Sequence, residues 1–319
     1  MIKKDRVATE IESADNPKFW LNSQPLKLDR LRGKVVLLDF WTYSCVNCIR
    51  TLPHLQKFWE KYKNKRFVLI GIHTPEFEFE KEIGNVKYAV KKYGLSYPIL
   101  SDPTRNNWEN YGNTYWPRIA LIDTEGKLVY EHVGEGNYHQ VELAILKELE
   151  KLKEVSSDFE PIQEKKKQPP IALTQEVYAG KTRNKGLGNS PAITRNDIDE
   201  YLDNGSYIPG IINLQGPWKQ HKESLEYLGP DQKGWIALKY YAQEVNVVMS
   251  GVGIAEVLLN NFPILAHSAG KDIIFQDGKS LVKLEGPDMY NLIKHTDFSS
   301  SLITIKPFNE MKVYSYTFG

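Results

Sequence analysis

The residues of this chain best suited to covalent chemistry are its two cysteines, Cys45 and Cys48, with Val46 and Asn47 between them. Thiols at this spacing can close a disulfide across one helical turn or supply half of a zinc tetrahedron. The zinc reading needs two further N or S ligands, for which His54 and His73 would have to serve. The surrounding sequence favours redox chemistry. Val35-Val36-Leu37-Leu38 reads as a buried strand of a parallel sheet, and the cysteines fall where that strand gives way to a helix. Cys45 then stands at a helix N-terminus, where unpaired backbone N–H groups and the positive end of the dipole favour a thiolate nucleophile. Cys48 lies one turn further along the same face, within disulfide reach.

Other residues sit at informative offsets. Asp39 ends the apolar strand, a position where a carboxylate is costly to bury unless it has a task. Pro53 follows inside the helix opened by Cys45 and should kink it. Much later, Trp116-Pro117-Arg118-Ile119-Ala120-Leu121-Ile122-Asp123 places a proline just before another apolar strand. On these residues the chain resembles the thioredoxin superfamily, whose members share a strand-end Asp, a Cys-x-x-Cys, a helix-kinking Pro and a cis-Pro facing the cysteines. Matched position by position, these are Asp39, Cys45, Cys48, Pro53 and Pro117. The resemblance implies thiol-disulfide exchange: Cys45 attacks a substrate disulfide, Cys48 resolves the mixed disulfide with Asp39 taking its proton, and Trp116 and Pro117 line the substrate groove. This chemistry calls for no cofactor and no metal.

The elements that must position these residues are legible in outline. Phe19-Trp20-Leu21, Leu26-Lys27-Leu28 and Leu31 read as a short hairpin or strand edge before the active-site strand. A helix over 46–63 precedes a second core strand at Arg66–Ile72, which ends in His73-Thr74-Pro75-Glu76. Between it and Pro117 lie a helix over Phe79–Tyr93, an extra strand at Tyr97–Leu100 and a helical turn over Asn106–Tyr111. That insertion resembles the TlpA branch of the superfamily. The resemblance implies an acidic residue near the strand end and close to the cysteines, for which Glu76 is the candidate. Ile119–Asp123 and Leu128–His132 form a hairpin around Thr124-Glu125-Gly126. Gly134-Glu135-Gly136 then leads into an amphipathic helix carrying Val141, Leu143, Ile145, Leu146 and Leu149. The expected fold of residues 1–152 is an α/β thioredoxin-like sheet with helices on both faces.

Residues 153–170 lose periodicity and become charged and proline-bearing, so they read as a linker. Residues 171–319 change to short strands: Ile211–Leu214, Trp235–Tyr241, Val245–Met249, Ala255–Leu259, Asp272–Phe275, Leu281–Leu284, Leu302–Ile305 and Val313–Phe318. Eight strands fit an all-β jelly-roll sandwich. This half shows no catalytic cluster, and its role is binding or structure. Trp41-Thr42-Tyr43-Ser44-Cys45-Val46-Asn47-Cys48-Ile49-Arg50-Thr51-Leu52-Pro53, Tyr115-Trp116-Pro117, His132–Gly136 and the closing Tyr314–Gly319 resemble the DipZ-type thiol:disulfide interchange proteins. That family joins a membrane domain to a thioredoxin-like domain and a jelly roll similar to carbohydrate-binding modules. The resemblance implies disulfide-containing or dithiol protein substrates, a separate electron donor, and a possible saccharide at the second domain. Trp218, Trp235, Tyr240 and Tyr241 are the aromatics available to stack on a sugar. The competing reading is a glycan- or protein-binding jelly roll for which the thioredoxin-like half is a non-catalytic adaptor.

The formal charge of +1 over 319 residues predicts neither nucleic-acid binding nor attraction to a membrane surface. No apolar run is long enough to insert in a bilayer. The N-terminal residues carry positive charge without a following apolar core, so a cytoplasmic address is expected, or an extracytoplasmic one if an export signal has been removed. If the two halves have separate cores, a chain ending near Leu152 should fold and reduce a small disulfide at a rate close to that of full length. A soluble, folded fragment unable to do so would show that the second half contributes to the active site.

Overall fold

The computed structural model describes residues 6–155 and 173–319. They divide into two compact units, the first within 1–167 and the second within 168–319. From residue 156 onward, the expected linker lies outside the described residues.

The first unit is a seven-stranded sheet built from β1 (Arg6–Val7), β2 (Trp20–Leu21), β3 (Val35–Trp41), β4 (Phe67–His73), β5 (Ile99–Ser101), β6 (Arg118–Ile122) and β7 (Lys127–Val133). Its strand order is β1-β7-β6-β3-β4-β5-β2. At its centre, β3 pairs in parallel with β4 and antiparallel with β6, and every residue of β3 and β4 is buried. Burial on both faces explains why these strands read as continuous apolar runs rather than alternations. Among its described residues the unit also has four α-helices: α1 (Val46–Tyr62), α2 (Ile83–Lys92), the short α3 (Asn106–Asn110) and α4 (Tyr138–Lys151).

The helices are divided unequally between the two faces of the sheet. Odd-numbered residues of β3 and β4, such as Leu37, Trp41 and Leu69, join one core with Leu55 and Phe58 of α1, Val86 of α2 and Val141 and Ile145 of α4. The even-numbered Val36, Leu38, Phe40, Ile70 and Ile72 join another core with Ile11, Ala14, Trp20, Leu28, Leu31, Trp108 and Tyr111. The three longer helices thus share one face. The N-terminal lead-in and α3 cover the other, because isolated large apolar residues on turns bury enough surface to close it. The lead-in is an edge strand, as expected, but not a hairpin. Trp20 and Leu21 pair with β5, while Leu28–Leu31 is a single 3-10 turn whose first amides, at Leu28 and Asp29, are capped by the Glu10 carboxylate.

The second unit is a twelve-stranded sheet. Its strands are β8 (Val177–Tyr178), β9 (Pro191–Arg195), β10 (Ile198–Tyr201), β11 (Ile212–Gln220), β12 (Leu225–Tyr227), β13 (Trp235–Ser250), β14 (Val252–Leu259), β15 (Phe262–Pro263), β16 (Ile273–Gln276), β17 (Lys279–Glu285), β18 (Asp288–Lys306) and β19 (Lys312–Phe318). The two strands expected at Trp235–Tyr241 and Val245–Met249 are one, because a register shift between Ala242 and Glu244 absorbs the polar Gln243-Glu244 without ending the ladder to β18. In the same way β18 runs on through the polar stretch from His295 to Ser301. Hydrogen bonding to a long partner sustains a strand that its own side-chain pattern would break.

One glycine decides local packing at the first sheet's centre. A Cβ added to Gly71 would lie 2.6 Å from Ile99 Cδ1, 3.0 Å from Tyr97 Cε2 and 3.1 Å from Trp41 Nε1. Gly71→Ala should therefore overpack the core and destabilise the protein by about 1–3 kcal/mol, read as a lowered urea midpoint at unchanged slope.

Candidate active site

Cys45 is the N-cap of α1, and its Sγ accepts a hydrogen bond from the Cys48 backbone N–H at 3.4 Å. Both thiols are free. Cys45 is half-buried, whereas Cys48 is fully buried. Burial pushes the Cys48 thiol well above its usual range, with the Cys45 sulfur and the Asp39 carboxylate adding to the effect and a Thr42 backbone hydrogen bond opposing it. Pro53 lies inside α1, which continues past it to Tyr62, and its ring nitrogen has no hydrogen to offer the preceding turn.

Asp39 sits in mid-sheet, opposite Gly71 on one side and Ile119 on the other. It is fully buried, and neither carboxylate oxygen has a hydrogen-bond partner. Burial alone raises its pKa to about 8. At neutral pH the group is therefore mostly a neutral acid, and it can exchange a proton with a neighbouring sulfur within the physiological range.

Pro117 follows a cis Trp116–Pro117 peptide bond. It lies one position beyond the Phe40–Arg118 pair, level with Trp41 at the end of the central strand where the cysteine loop begins. The carbonyl of Pro117 accepts from Gly134 N–H at 2.8 Å, and Gly134 and Gly136 have φ of +90° and +93°, so the paired glycines let this loop turn tightly against the proline. Glu135 between them forms an ion pair with Arg50 of α1 at 3.6 Å. Trp116 is half-buried. Its ring stacks on Trp108 with centroids 4.0 Å apart, and the Arg105 guanidinium lies 5.1 Å from it.

The sequence reading named Glu76 as the acidic residue of the site, and missed Glu80. Glu76 is half-buried, and its carboxylate accepts from Ser44 Oγ at 3.5 Å, the limit of a hydrogen bond. Glu80 is fully buried and holds the loop from both sides. Its Oε1 accepts from Thr42 Oγ1 at 2.5 Å and from Ser44 N–H at 3.2 Å, while Oε2 accepts from the Glu76 and Phe77 N–H groups at 2.6 and 2.9 Å. Burial raises its pKa to about 7, against the pull of the hydrogen bonds. Glu80 therefore fixes the loop that ends at Cys45. In sequence, Glu76, Glu78 and Glu80 alternate with phenylalanines, and only the 3-10 turn over Glu78–Lys81 decides which of them points inward.

His73 is fully buried and stacks on Tyr43 at 5.3 Å, with the Trp41 ring edge-on at 5.1 Å. Burial lowers its pKa to about 3, so it stays neutral. His54 stacks on Tyr138 at 3.7 Å. Among the described residues no cluster of His, Cys, Asp and Glu has the makings of a metal site. In the second unit Trp218 and Tyr240 are core residues, which removes them as platforms for a sugar, and Trp235 and Tyr241 remain half-buried.

The electrons this site can pass on are the pair held by its two sulfurs, and the sheet that presents them is thioredoxin-like. Residues 8–149 match the Redoxin family and residues 174–319 the family described as thioredoxin like C-terminal domain. The chain is 33% identical to Protein DipZ of Mycobacterium tuberculosis over 94% of its own length and 41% of that protein's. It is 32% identical to the thiol-disulfide oxidoreductase ResA of Bacillus thuringiensis over 38% of this chain and 68% of that protein. The thioredoxin domain of a thiol-disulfide oxidoreductase from Bacteroides vulgatus is 27% identical over 46% of this chain and 99% of that domain, with a TM-score of 0.38. The chain belongs to the thioredoxin-like thiol-disulfide oxidoreductases, in their TlpA-like branch. It spans about two fifths of the length of its DipZ relatives.

The Asp39 pKa has a consequence for stability. An unfolded-state Asp ionises near pH ~4. Between that pH and about 8 the folded state binds the extra proton, so stability falls as pH rises through this window and levels off above it. Asp39→Asn should be more stable than the unaltered protein at pH 9 by about 2–5 kcal/mol, with the difference shrinking towards pH 4. Urea unfolding at both pH values reads this directly, and equal pH dependence in the two proteins would mean that Asp39 ionises normally.

Proposed function

We propose that the Cys45-Cys48 pair exchanges with disulfides of protein substrates and works as a reductase. The observation that carries this reading is the asymmetry of the pair: a half-exposed sulfur at a helix N-terminus and a fully buried one beside a buried carboxylate. Cys45 attacks the substrate disulfide and forms a mixed disulfide with one of its sulfurs, releasing the other as a thiolate. Cys48 gives its proton to Asp39 in its ionised form, the minor one at pH 7, and attacks Cys45 Sγ. The second substrate sulfur leaves as a thiol, and the protein is left with a Cys45-Cys48 disulfide. A separate electron donor must then restore the dithiol.

The surroundings of Cys48 support the reductase direction. A strong dithiol oxidant owes its potential to a stabilised reduced form. Here burial disfavours a Cys48 thiolate, and Asp39 adds to this where it is ionised, so the reduced pair lacks a stabilised thiolate at this sulfur, which supports reduction of substrates as the working direction. The segment before Pro117 supports a polypeptide substrate, since Tyr115 is 69% exposed beside the half-buried Trp116.

The test is insulin reduction in dithiothreitol. The protein should accelerate turbidity, and its potential should lie nearer a thioredoxin's roughly −270 mV than a strong oxidant's roughly −120 mV. Cys45→Ser should abolish turnover, Cys48→Ser should accumulate mixed disulfides through Cys45, and iodoacetamide should label Cys45 first. No acceleration of turbidity would favour the adaptor reading, and preferential labelling of Cys48 would reverse the roles.

A further inference from the structure

One buried hydroxyl beside Asp39 takes no part in the steps above. Tyr97 is fully buried, and its hydroxyl has no hydrogen-bond partner in the protein. Its ring edge lies against Gly71, the cross-strand neighbour of Asp39, 3.0 Å from the position a Cβ would take there. The phenol thus fills the space that a side chain at position 71 would occupy next to the carboxylate. Trp41 Nε1, also buried and unpartnered, lies against the same point. Burial holds the Tyr97 phenol protonated, and the negative charges of Asp39 and Cys48 reinforce this. A phenylalanine would fill the same space without the cost of burying an unsatisfied hydroxyl.

We propose that Tyr97 is a positioning residue for the resolving step: its hydroxyl donates a hydrogen bond to the anion that forms at the Asp39-Cys48 pair and holds that pair ready for attack on Cys45. The inference rests on the exchange reading. In the resolving step the Cys48 proton passes to the Asp39 carboxylate and the Cys48 sulfur bonds to Cys45 Sγ. The bond between Cys45 and the substrate sulfur breaks with its electron pair going to the substrate, whose thiolate takes up the proton held on Asp39. One negative charge persists inside the protein until the substrate sulfur departs. Tyr97, from the segment before β5, and Trp41 Nε1 are the buried neutral donors against Gly71, the neighbour of Asp39. The charges that act on the Tyr97 phenol are those of Asp39 and Cys48, Cys48 interacts in turn with Cys45, and His73, two residues past Gly71 on β4, stays neutral and brings no compensating charge.

The experiment uses reduced full-length protein and 5,5′-dithiobis(2-nitrobenzoate). The first release of thionitrobenzoate reports attack by Cys45 and the second reports attack by Cys48, so the first is an internal reference. Tyr97→Phe should raise the pH midpoint of the second release by about one unit and slow it at pH 7 by about tenfold relative to the first. Tyr97→Leu, which also lacks the hydroxyl, should show the same displacement. In an Asp39→Asn background the effect of Tyr97→Phe should shrink to less than about twofold. Superimposed pH profiles for the second release, or equal slowing of both releases, would overturn the role of Tyr97 and leave the exchange reading intact. Absence of the first release from the unaltered protein would overturn the exchange reading and this proposal with it.

Discussion

A carboxyl group buried without a hydrogen-bond partner is the feature on which the first unit turns. Asp39 occupies the central strand, with both oxygens unpartnered and every residue of its strand buried. Such a group costs the fold free energy whenever it ionises, and structure alone gives no reason to keep it. Under the proposed exchange its place is explained by chemistry. The low dielectric that penalises its charge also brings its pKa to about 8, the range in which the proposed exchange needs a group that takes up and returns a proton.

The surrounding architecture keeps that group dry while leaving one sulfur accessible. Placing α1, α2 and α4 on one face of the sheet buries Cys48, Asp39 and Tyr97 beneath them, whereas Cys45, as the N-cap of α1, remains at the rim. The loop that ends at Cys45 would be free to wander if its amides were left to solvent. Glu80 prevents this by accepting from Thr42 and Ser44 on one oxygen and from Glu76 and Phe77 on the other. On the opposite wall, Gly134 holds Pro117 and the Arg105-Trp108-Trp116 stack fixes the residue before it.

The second unit follows different rules. It has no helix longer than a single turn among its described residues, and its core gathers residues of β11, β12, β13, β18 and β19, among them Trp218, Tyr227, Tyr240 and Tyr316. Two long strands, β13 and β18, run beside each other for most of their length and bind the sheet together. Large aromatic side chains lie inside this core, where they contribute burial rather than recognition.

The chemistry was legible in the sequence because it depends on local order. A Cys-x-x-Cys at a strand-to-helix junction places one thiol at the helix N-terminus and the other one turn further in by covalent spacing and helix geometry, and a carboxylate in an apolar strand announces itself by its cost. The strands β3, β4 and β6 were readable for the same reason, since full burial writes itself as a continuous apolar run. What depended on tertiary structure was which groups meet across the sheet. Glu76 and Glu80 differ only in which side of a turn they occupy, and the choice was made by the Thr42 and Ser44 donors waiting on another segment. Tyr97 packs against the neighbour of Asp39 because that neighbour is Gly71, which leaves room for its ring. The continuity of β13 and β18 through polar stretches belongs to the same category. Hydrogen bonds between distant segments override a local pattern, because a backbone ladder needs a partner in register and not an apolar side chain at every second residue.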